Sequence, residues 1–337
     1  MTISLRPIRS DDLPELVAVV NRRYQAAGIR INMQADELGE EIDSSLTNRE
    51  RDTRVAVDET GRIVGYAWTI HLPSDVSEER CYVEGGVDVD RRGLGIGRQL
   101  LTWSSSHARE RLDTSSNSIP RYIRIDHHVD DEATRRLAAS FGFTPVRWFD
   151  DLVRPLTDLG DLPSASSLGG RPVTIEPWPL DDPLLDEIRI VKNTSFADHW
   201  GSTPTSVEGW AELATGFGSR LDLSLIARDA ASGRIVAFLL SKRYPADDEL
   251  LGYSQAWVDK LGTLPEWRGR GLASALIGEA LRRYSADGLS HAAIGVDADN
   301  PSGASRLYRA LGFTTHSQIV TSQIDHSPNN RSGRLAS

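Results

Sequence analysis

Residues 259–281 read DKLGTLPEWRGRGLASALIGEAL, and this segment carries the pattern from which the fold is predicted. Its apolar start at 261–264 is typical of a strand, and apolar residues at helical spacing follow from Leu272. Between them lies the glycine-lined turn RGRGLA at 268–273. Because a helix start leaves backbone N–H groups without partners and carries partial positive charge, it favours an anion such as pyrophosphate. The stretch therefore predicts a strand, a phosphate-binding turn and a helix.

A second copy of this pattern lies earlier in the chain, at an offset of about 175 residues. Residues 83–103 read VEGGVDVDRRGLGIGRQLLTW, and residues 121–143 read RYIRIDHHVDDEATRRLAASFGF. The later copy continues at 291–313 with HAAIGVDADNPSGASRLYRALGF. Both copies give a loop, a helix, a strand and a Gly-Phe ending in the same order, which is typical of a duplicated domain.

The repeat sets the expected domain boundaries. A chain of 337 residues exceeds what one hydrophobic core usually serves, so two domains are expected. Residues 156–172, LTDLGDLPSASSLGGRP, are rich in Gly, Ser and Pro and predict a linker, with an ordered surface loop as the alternative. We expect an N-terminal domain at 1–155, a C-terminal domain at 173–325 and a flexible tail at 326–337.

The remaining elements follow from apolar spacing and turn residues. In each half a short strand and an amphipathic helix precede two strands that form a hairpin. The expected strands are 3–8, 53–57 and 64–68 in the first half and 173–177, 223–227 and 235–240 in the second. This order predicts an α/β fold (α+β, with a mixed sheet) in each half rather than a run of βαβ units.

Composition restricts the class of partner. The net charge of -10 and the pI near 5.3 argue against nonspecific nucleic-acid binding, which needs a basic face. Cys81 is the one cysteine, so an internal disulfide and a cysteine-based zinc site are excluded, and we expect no metal. The charged start MTISLRPIRSDDLPEL lacks the apolar core of a signal peptide, and no segment has the length of a membrane span. We expect a cytoplasmic protein that binds neither nucleic acid nor membrane.

Two other glycine motifs do not fit the turn. A dinucleotide fingerprint needs a third glycine at a spacing that neither copy has, and a P-loop needs Gly-Lys-Ser/Thr. The turn instead resembles the acetyl-CoA loop of the GNAT superfamily, with Arg268, Gly271 and Ala273 in the C-terminal copy. The family's second block resembles residues 300–313, which contain its Asn, Ala, Leu-Tyr and Gly-Phe. The resemblance covers nearly the whole chain and implies tandem GNAT folds.

The resemblance implies a site in each copy, with acetyl-CoA as acyl donor. In this family a splayed pair of central strands admits the pantetheine arm. The implied cofactor-binding residues of the C-terminal copy are Leu261, Gly262, Thr263, Arg268, Gly269, Arg270, Gly271, Leu272, Ala273 and Asn300. Those of the N-terminal copy are Arg92, Gly93, Gly95 and Gly97. Tyr308 stands where the family carries the tyrosine that donates a proton to the leaving sulfur, although core packing is an alternative use for it.

The N-terminal copy keeps the loop but loses the donor. Ala138 replaces the tyrosine, Asp130 the asparagine and Thr134 the alanine of the second block. This copy is expected to be catalytically degenerate: it either binds CoA without turnover or completes a pseudo-symmetric pair, and we favour the structural role. The protein is expected to be a monomer with pseudo-dimeric halves or a homodimer, since GNAT proteins often dimerise.

The acceptor side is less determined by the sequence. Asp198, His199 and Trp200 fall between the first helix and the hairpin of the C-terminal copy, a region that borders the acceptor in GNAT enzymes. Phe196 and Trp210 could line an acceptor pocket or pack in the core. Asp259 or Glu84 could supply a general base by position.

The expected function is an enzyme, an N-acetyltransferase acting on a primary amine of a small molecule through a ternary complex. The tandem arrangement is also similar to that of the mycothiol synthases, which acylate a cysteinyl amine. A noncatalytic acyl-CoA-binding or regulatory module is the alternative from another class.

Overall fold

A computed structural model describes residues 2–165, 172–179, 182–299 and 303–327 of the chain. The chain forms two compact units. The first ends at Trp148 and resumes at Ile319, and the second runs from Phe149 to Gln318. Each unit is a mixed α/β sheet flanked by helices.

In the first unit a sheet is flanked by five helices among the described residues. Its strands are β1 Ser4–Arg6, β2 Thr53–Val57, β3 Ile63–Leu72, β4 Glu79–Val87 and β5 Arg121–His128. Its helices are α1 Leu13–Ala26, α2 Ala35–Ile42, α3 Arg49–Asp52, α4 Ile96–Asp113 and α5 Glu132–Ser140. The strands follow the order β1-β2-β3-β4-β5, antiparallel except for the parallel pair β4 and β5. The chain continues from α5 into β6 Thr144–Pro155.

The second unit repeats this arrangement. Its strands are β7 Val173–Pro177, β8 Leu225–Asp229, β9 Ile235–Lys242, β10 Gln255–Thr263 and β11 His291–Asp297, followed along the chain by β12 Thr314–Asp325. Its helices are α6 Asp182–Ser195, α7 Val207–Thr215, α8 Asp248–Leu251, α9 Leu272–Ala286 and α10 Ala304–Ala310. The strands follow the order β11-β10-β9-β8-β7, and β10 and β11 form the parallel pair.

The terminal strand of each sheet comes from an unexpected part of the chain. Residues 319–325 of β12 pair antiparallel with β5 in the first unit. Residues 149–155 of β6 pair antiparallel with β11 in the second unit. The units therefore depart from the expected domains 1–155 and 173–325 in these two segments. Apolar alternation predicts that a strand exists, but it does not say which sheet edge the strand joins.

Several expected strands have different limits in the structure: β1 is shorter than 3–8, β3 is longer than 64–68, and two others begin at different residues. The strand expected at 261–264 is β10, which begins already at Gln255, because Asp259 and Lys260 interrupt the apolar pattern in the middle of the strand. The strand expected at 223–227 begins at Leu225, because residues Leu221–Leu223 form a turn of 3-10 helix. The hairpin strands β2 and β9 lie where the sequence predicts them.

The described part of the expected linker is ordered against the second unit. The N–H of Leu156 donates to the Ser290 carbonyl at 2.8 Å, and the Arg282 guanidinium on α9 donates to the Leu162 carbonyl at 2.8 Å. Residues 166–171 lie outside the described chain. Of the expected tail, His326 contacts Asp113 at 2.7 Å, and residues 328–337 lie outside the described chain. The segment at 156–165 is thus a packed surface loop.

Candidate active site

The turn before α9 has the geometry of an anion site. Gly269 and Gly271 have φ values of +72° and +81°, which favour glycine, and a Cβ at Gly269 would meet no atom within 4 Å. Gly271 caps α9, and the first helical hydrogen bond runs from the Ala275 N–H to the Gly271 carbonyl at 3.0 Å. The N–H groups before Ala275 therefore have no carbonyl of the helix to donate to, and they can face an anion.

The two parallel strands beside this turn diverge. β10 pairs with β11 only from Gln255 to Val258, and a register shift follows between Val258 and Lys260. The rest of β10, through Thr263, stays paired with β9 alone. The backbone of Leu261 and Gly262 is consequently unpaired with β11 where that strand has separated, whereas the Thr263 carbonyl accepts from Arg268 Nε at 3.3 Å.

One cavity of about 370 Å³ joins the turn and the diverging strands. Its wall contains many of the residues that the sequence predicts for cofactor binding: Leu261, Gly262, Thr263, Arg268, Gly269, Gly271, Leu272 and Ala273. It also contains Tyr308 and His199. The structure therefore brings the predicted loop, the strand and the predicted catalytic tyrosine to one opening.

Tyr308 lies on α10 with only 8% of its surface exposed. Burial raises the pKa of its phenol to about 12, so the hydroxyl keeps its proton at neutral pH. The ring packs edge-on against Phe313 at a centroid distance of 6.3 Å. Tyr308 is thus both packed and in contact with the cavity, so the two uses considered for it are compatible.

The Thr263 hydroxyl gives the cavity a free polar group. Its Oγ1 atom is buried and has no hydrogen-bond partner in the described part of the chain. A buried hydroxyl without a partner costs free energy, which a bound amide or carbonyl could recover. Thr263 lies in the cavity wall, so the opening suits a polar, extended ligand such as a pantetheine arm.

Several predicted residues lie away from the described cavity wall. The Arg270 guanidinium lies over the Trp267 ring at 5.4 Å, and the Asp198 carboxylate pairs with Arg268 at 2.5 Å. Trp200 contacts Phe149 at a ring distance of 6.2 Å. Asn300 lies outside the described residues.

The acceptor-side aromatic residues divide into two groups. Trp210 is 1% exposed and packs against Trp178 and Phe238, so it belongs to the core. Phe196 contacts the His199 ring at 4.6 Å. Burial lowers the pKa of His199, which favours the neutral imidazole. Among these acceptor-side residues, His199 lines the described cavity, whereas Phe196 and Trp210 do not.

Other wall residues were not predicted as site residues from the sequence. They are Ser195, Trp267, Ser274, Gly303, Ala304 and Leu307. Ser274, Ala304 and Leu307 lie in or beside the two family blocks, so alignment with a relative could have found them. Ser195 is the last residue of α6, and it lines the cavity only because the folded chain brings that helix end beside the turn.

The first unit has a matching cavity of about 440 Å³. All four predicted residues, Arg92, Gly93, Gly95 and Gly97, line it. Gly95 caps α4 with φ +83°, and the Gln99 N–H donates to its carbonyl at 3.1 Å. β4 and β5 also diverge, since they pair only from Glu79 to Tyr82 on the β4 side. Ala138 lines the cavity at the place of the tyrosine.

A charged group that the sequence did not single out, Arg23, contacts two residues in the wall of this first cavity. The buried Arg23 guanidinium donates to the Tyr66 hydroxyl at 2.7 Å and to the Gly85 carbonyl at 3.0 Å. It also lies 3.6 Å from the Asp131 carboxylate. Burial raises the pKa of Glu84, which lines the cavity, to about 8. The Arg23 guanidinium thus donates to the carbonyl of Gly85, the residue that corresponds to Leu261 of the second unit.

The described residues contain neither a candidate metal site nor a candidate membrane span. Among the described residues, no group of three or more His, Cys, Asp or Glu side chains is arranged to hold a metal ion. In the same part of the chain, no helix combines the length and apolar character needed to cross a membrane.

Comparisons with known proteins agree with this geometry. The model of the acetyltransferase (GNAT) family matches residues 18–143 and 188–313. The mycothiol acetyltransferase of Tsukamurella paurometabola is 31% identical over 251 residues, which are 71% of this chain and 76% of that protein. The mycothiol acetyltransferase of Mycobacterium sp. (strain JLS) is 29% identical over 336 residues, 94% of this chain and 96% of that protein.

Solved structures show the same fold. A GCN5-related N-acetyltransferase from Sphaerobacter thermophilus superposes with a TM-score of 0.73 at 22% identity, covering 97% of this chain and 96% of that one. A tandem GNAT protein from the clavulanic acid biosynthesis pathway gives 0.71 at 17% identity, covering 97% and 99%. The chain belongs to the GNAT family, as a tandem acetyltransferase that acts on an amine acceptor and uses an acyl-CoA donor.

Proposed function

We propose that the second unit transfers an acetyl group from acetyl-CoA directly to a primary amine of a small molecule. One observation carries the proposal: the capped helix start, the diverging strands and the Tyr308 phenol meet on one cavity. In the reaction an N–C bond forms, the C–S bond of the thioester breaks, the amine loses a proton and the sulfur gains one.

The cavity residues fit the parts of acetyl-CoA in order. The N–H groups at the start of α9, from Gly271 onward, would hold the pyrophosphate, and Arg268 and Arg270 supply positive charge nearby. The backbone of Leu261, Gly262 and Thr263, together with the unpartnered Thr263 hydroxyl, would hold the pantetheine arm. Asn300 stays a predicted contact from the family pattern.

Tyr308 supplies a proton at the end of this path. A phenol with a pKa near 12 is a weaker acid than a thiol, whose reference pKa is about 8.5. Its first effect is therefore a hydrogen bond to the sulfur as negative charge develops there, which stabilises the transition state. General acid catalysis of this kind typically contributes about 10²- to 10⁴-fold to the rate.

The proposed acceptor is a cysteinyl amine. Two relatives that share 29–31% identity with this chain are named mycothiol acetyltransferase, and their matches extend over 71% and 94% of the chain. His199 on the cavity wall offers a neutral imidazole for the amine side, while Asp198 and Trp200 are not among the residues that line the cavity. A net charge of -10 suits a cationic acceptor that loses its proton in the site.

The first unit is proposed to bind CoA through Arg92, Gly93, Gly95 and Gly97 without turnover. Ala138 removes the proton donor, which supports this assignment. The Arg23 guanidinium already donates to the Gly85 carbonyl beside the diverging strands, which leaves less backbone for a pantetheine arm and supports the absence of turnover.

The test is product formation with a panel of amines that includes a cysteinyl amine. Because that acceptor carries its own thiol, acetylated product is measured by mass spectrometry rather than CoA release by a thiol reagent. Tyr308→Phe is expected to lower kcat by about 10²-fold or more. Gly271→Glu, which places a negative charge at the helix start, is expected to abolish turnover, and the matched change Gly95→Glu in the first unit is expected to preserve it.

The outcomes separate the alternatives. Full turnover in both Tyr308→Phe and Gly271→Glu would remove the second unit as the site. Loss of turnover in Gly95→Glu alone would move the chemistry to the first unit. CoA binding by the wild type with no product from any amine would favour a noncatalytic acyl-CoA-binding module.

A further inference from the structure

The guanidinium of Arg268 joins three segments of the second unit. Its Nη1 and Nη2 atoms donate to the Asp198 carboxylate at 2.5 and 3.0 Å. Nη2 also donates to the Ser195 carbonyl at 2.7 Å, and Nε donates to the Thr263 carbonyl at 3.3 Å. Ser195 is the last residue of α6, so its carbonyl carries part of the negative end of the helix dipole. The cofactor loop is thereby fastened to the turn that follows α6.

This turn carries the acceptor-side wall of the cavity. The His199 N–H donates to the Phe196 carbonyl at 3.0 Å, and the Ser202 N–H donates to the His199 carbonyl at 3.1 Å. Asp198 is the residue before His199, and both Ser195 and His199 line the cavity. The ion pair of Asp198 therefore fixes the part of the turn that places the His199 ring at the opening.

The first unit has no equivalent carboxylate at this place. Glu15 on α1 accepts from the Ile63 N–H at 3.0 Å, and Glu187 on α6 accepts from the Ile235 N–H at 3.2 Å, so the two helices correspond. Ala26 follows Glu15 at the same sequence separation at which Asp198 follows Glu187. The pair between Asp198 and Arg268 thus belongs to the unit that keeps the tyrosine.

We propose that Asp198 is a positioning residue that couples the cofactor loop to the acceptor side of the cavity. Through Arg268 it holds the turn after α6 so that His199 faces the amine. The same guanidinium lies on the loop proposed to hold the pyrophosphate, so the carboxylate and the phosphate share one positive charge. Loss of the carboxylate consequently acts on the two ligands in opposite directions: the acceptor binds less well, and CoA binds as well or better. The proposal rests on the proposed function of this cavity.

The pair is suitable for mutation because it contributes little to stability. The side chains of Arg268 and Asp198 are 34% and 60% exposed, and exposed ion pairs of this kind typically contribute little to stability. Asp198→Asn is therefore expected to fold normally. Asp222→Asn is a matched control, because it also removes one carboxylate from an arginine, Arg220, which keeps its contact with Asp287 at 3.1 Å.

The experiment uses the full chain and two readouts. At saturating acetyl-CoA, Asp198→Asn is expected to raise KM for the amine about 5- to 10-fold, with kcat changed less than about twofold. Calorimetric titration with CoA is expected to give a Kd equal to or up to about threefold below that of the wild type. Asp198→Glu, which keeps the charge, is expected to recover most of the acceptor KM, and Asp222→Asn is expected to match the wild type in both readouts.

Each other outcome has a definite meaning. An unchanged acceptor KM in Asp198→Asn overturns the proposal while leaving the Tyr308 site intact. A joint loss of kcat and CoA affinity also overturns it, because that pattern indicates general damage to the site. If the wild type acetylates no amine, the proposed function fails, and a CoA Kd weakened in Asp198→Asn then overturns the coupling independently.

Discussion

Gly271→Ala tests the anion site through the backbone alone. Gly271 has φ +81°, in the left-handed region that favours glycine, so an added methyl group causes conformational strain. A non-glycine residue in the left-handed region costs about 1–2 kcal/mol. If the strain is relieved by turning the helix start away from the cavity, CoA affinity in the second unit falls by about 5- to 30-fold, since 1.4 kcal/mol corresponds to a factor of ten.

Gly288→Ala provides a matched control. Gly288 lies just beyond the other end of α9 with a similar φ of +82°, and a Cβ there would meet no atom within 4 Å. Both variants are therefore expected to lose similar stability, about 2–8 °C in the melting temperature of the second unit. Only Gly271→Ala is expected to weaken CoA binding.

The assay is calorimetric titration of CoA, together with differential scanning calorimetry of each variant. Gly95→Glu is included as a common background, so that CoA binding in the first unit does not hide the change. Equal CoA affinity in Gly271→Ala and Gly288→Ala, with equal loss of stability, would refute the assignment of the phosphate to the start of α9.

Two further predictions concern stability and the core. The pKa of Glu84 is about 8 in the folded protein, whereas its ordinary value is 4.5. The contribution of the protonated Glu84 carboxyl to the stability of the folded protein is therefore complete below pH 4.5 and is lost as the pH rises through about 8. Glu84→Gln should consequently melt higher than the wild type by a margin that grows from pH 5 to pH 8; a constant margin across this range would contradict the buried carboxyl. Trp210→Ala should lower the unfolding free energy by about 3–5 kcal/mol in denaturant titrations, because the ring packs on Trp178 and Phe238. Turnover per folded molecule should stay unchanged, and loss of turnover without loss of stability would place Trp210 at the acceptor.

The glycine-lined turn at the start of α9 can be predicted from the sequence because it depends on local chemistry. Gly271 must adopt a positive φ at a helix start, and this requirement is visible in the residue type and in the apolar spacing that follows. The mixed sheet, the tandem arrangement and the GNAT family are likewise confirmed, since loop, helix and strand recur in the same order in both halves.

The acceptor side and the terminal strands depend on contacts between distant segments. Arg23 reaches the Gly85 carbonyl, and Arg268 reaches Asp198, across separations that no local pattern encodes. The partners of β6 and β12 depend on which sheet edge remains unpaired after the other strands have formed. The predicted domain boundaries followed the composition of residues 156–172, which reports chain polarity and not strand pairing.

The most direct test of the central claim is a crystal structure of the protein with CoA. The account predicts density in the second unit with the pyrophosphate at the N–H groups after Gly271 and the sulfur within hydrogen-bond distance of the Tyr308 hydroxyl. A pyrophosphate bound elsewhere in that unit, or a sulfur remote from a phenol that points into the core, would contradict it.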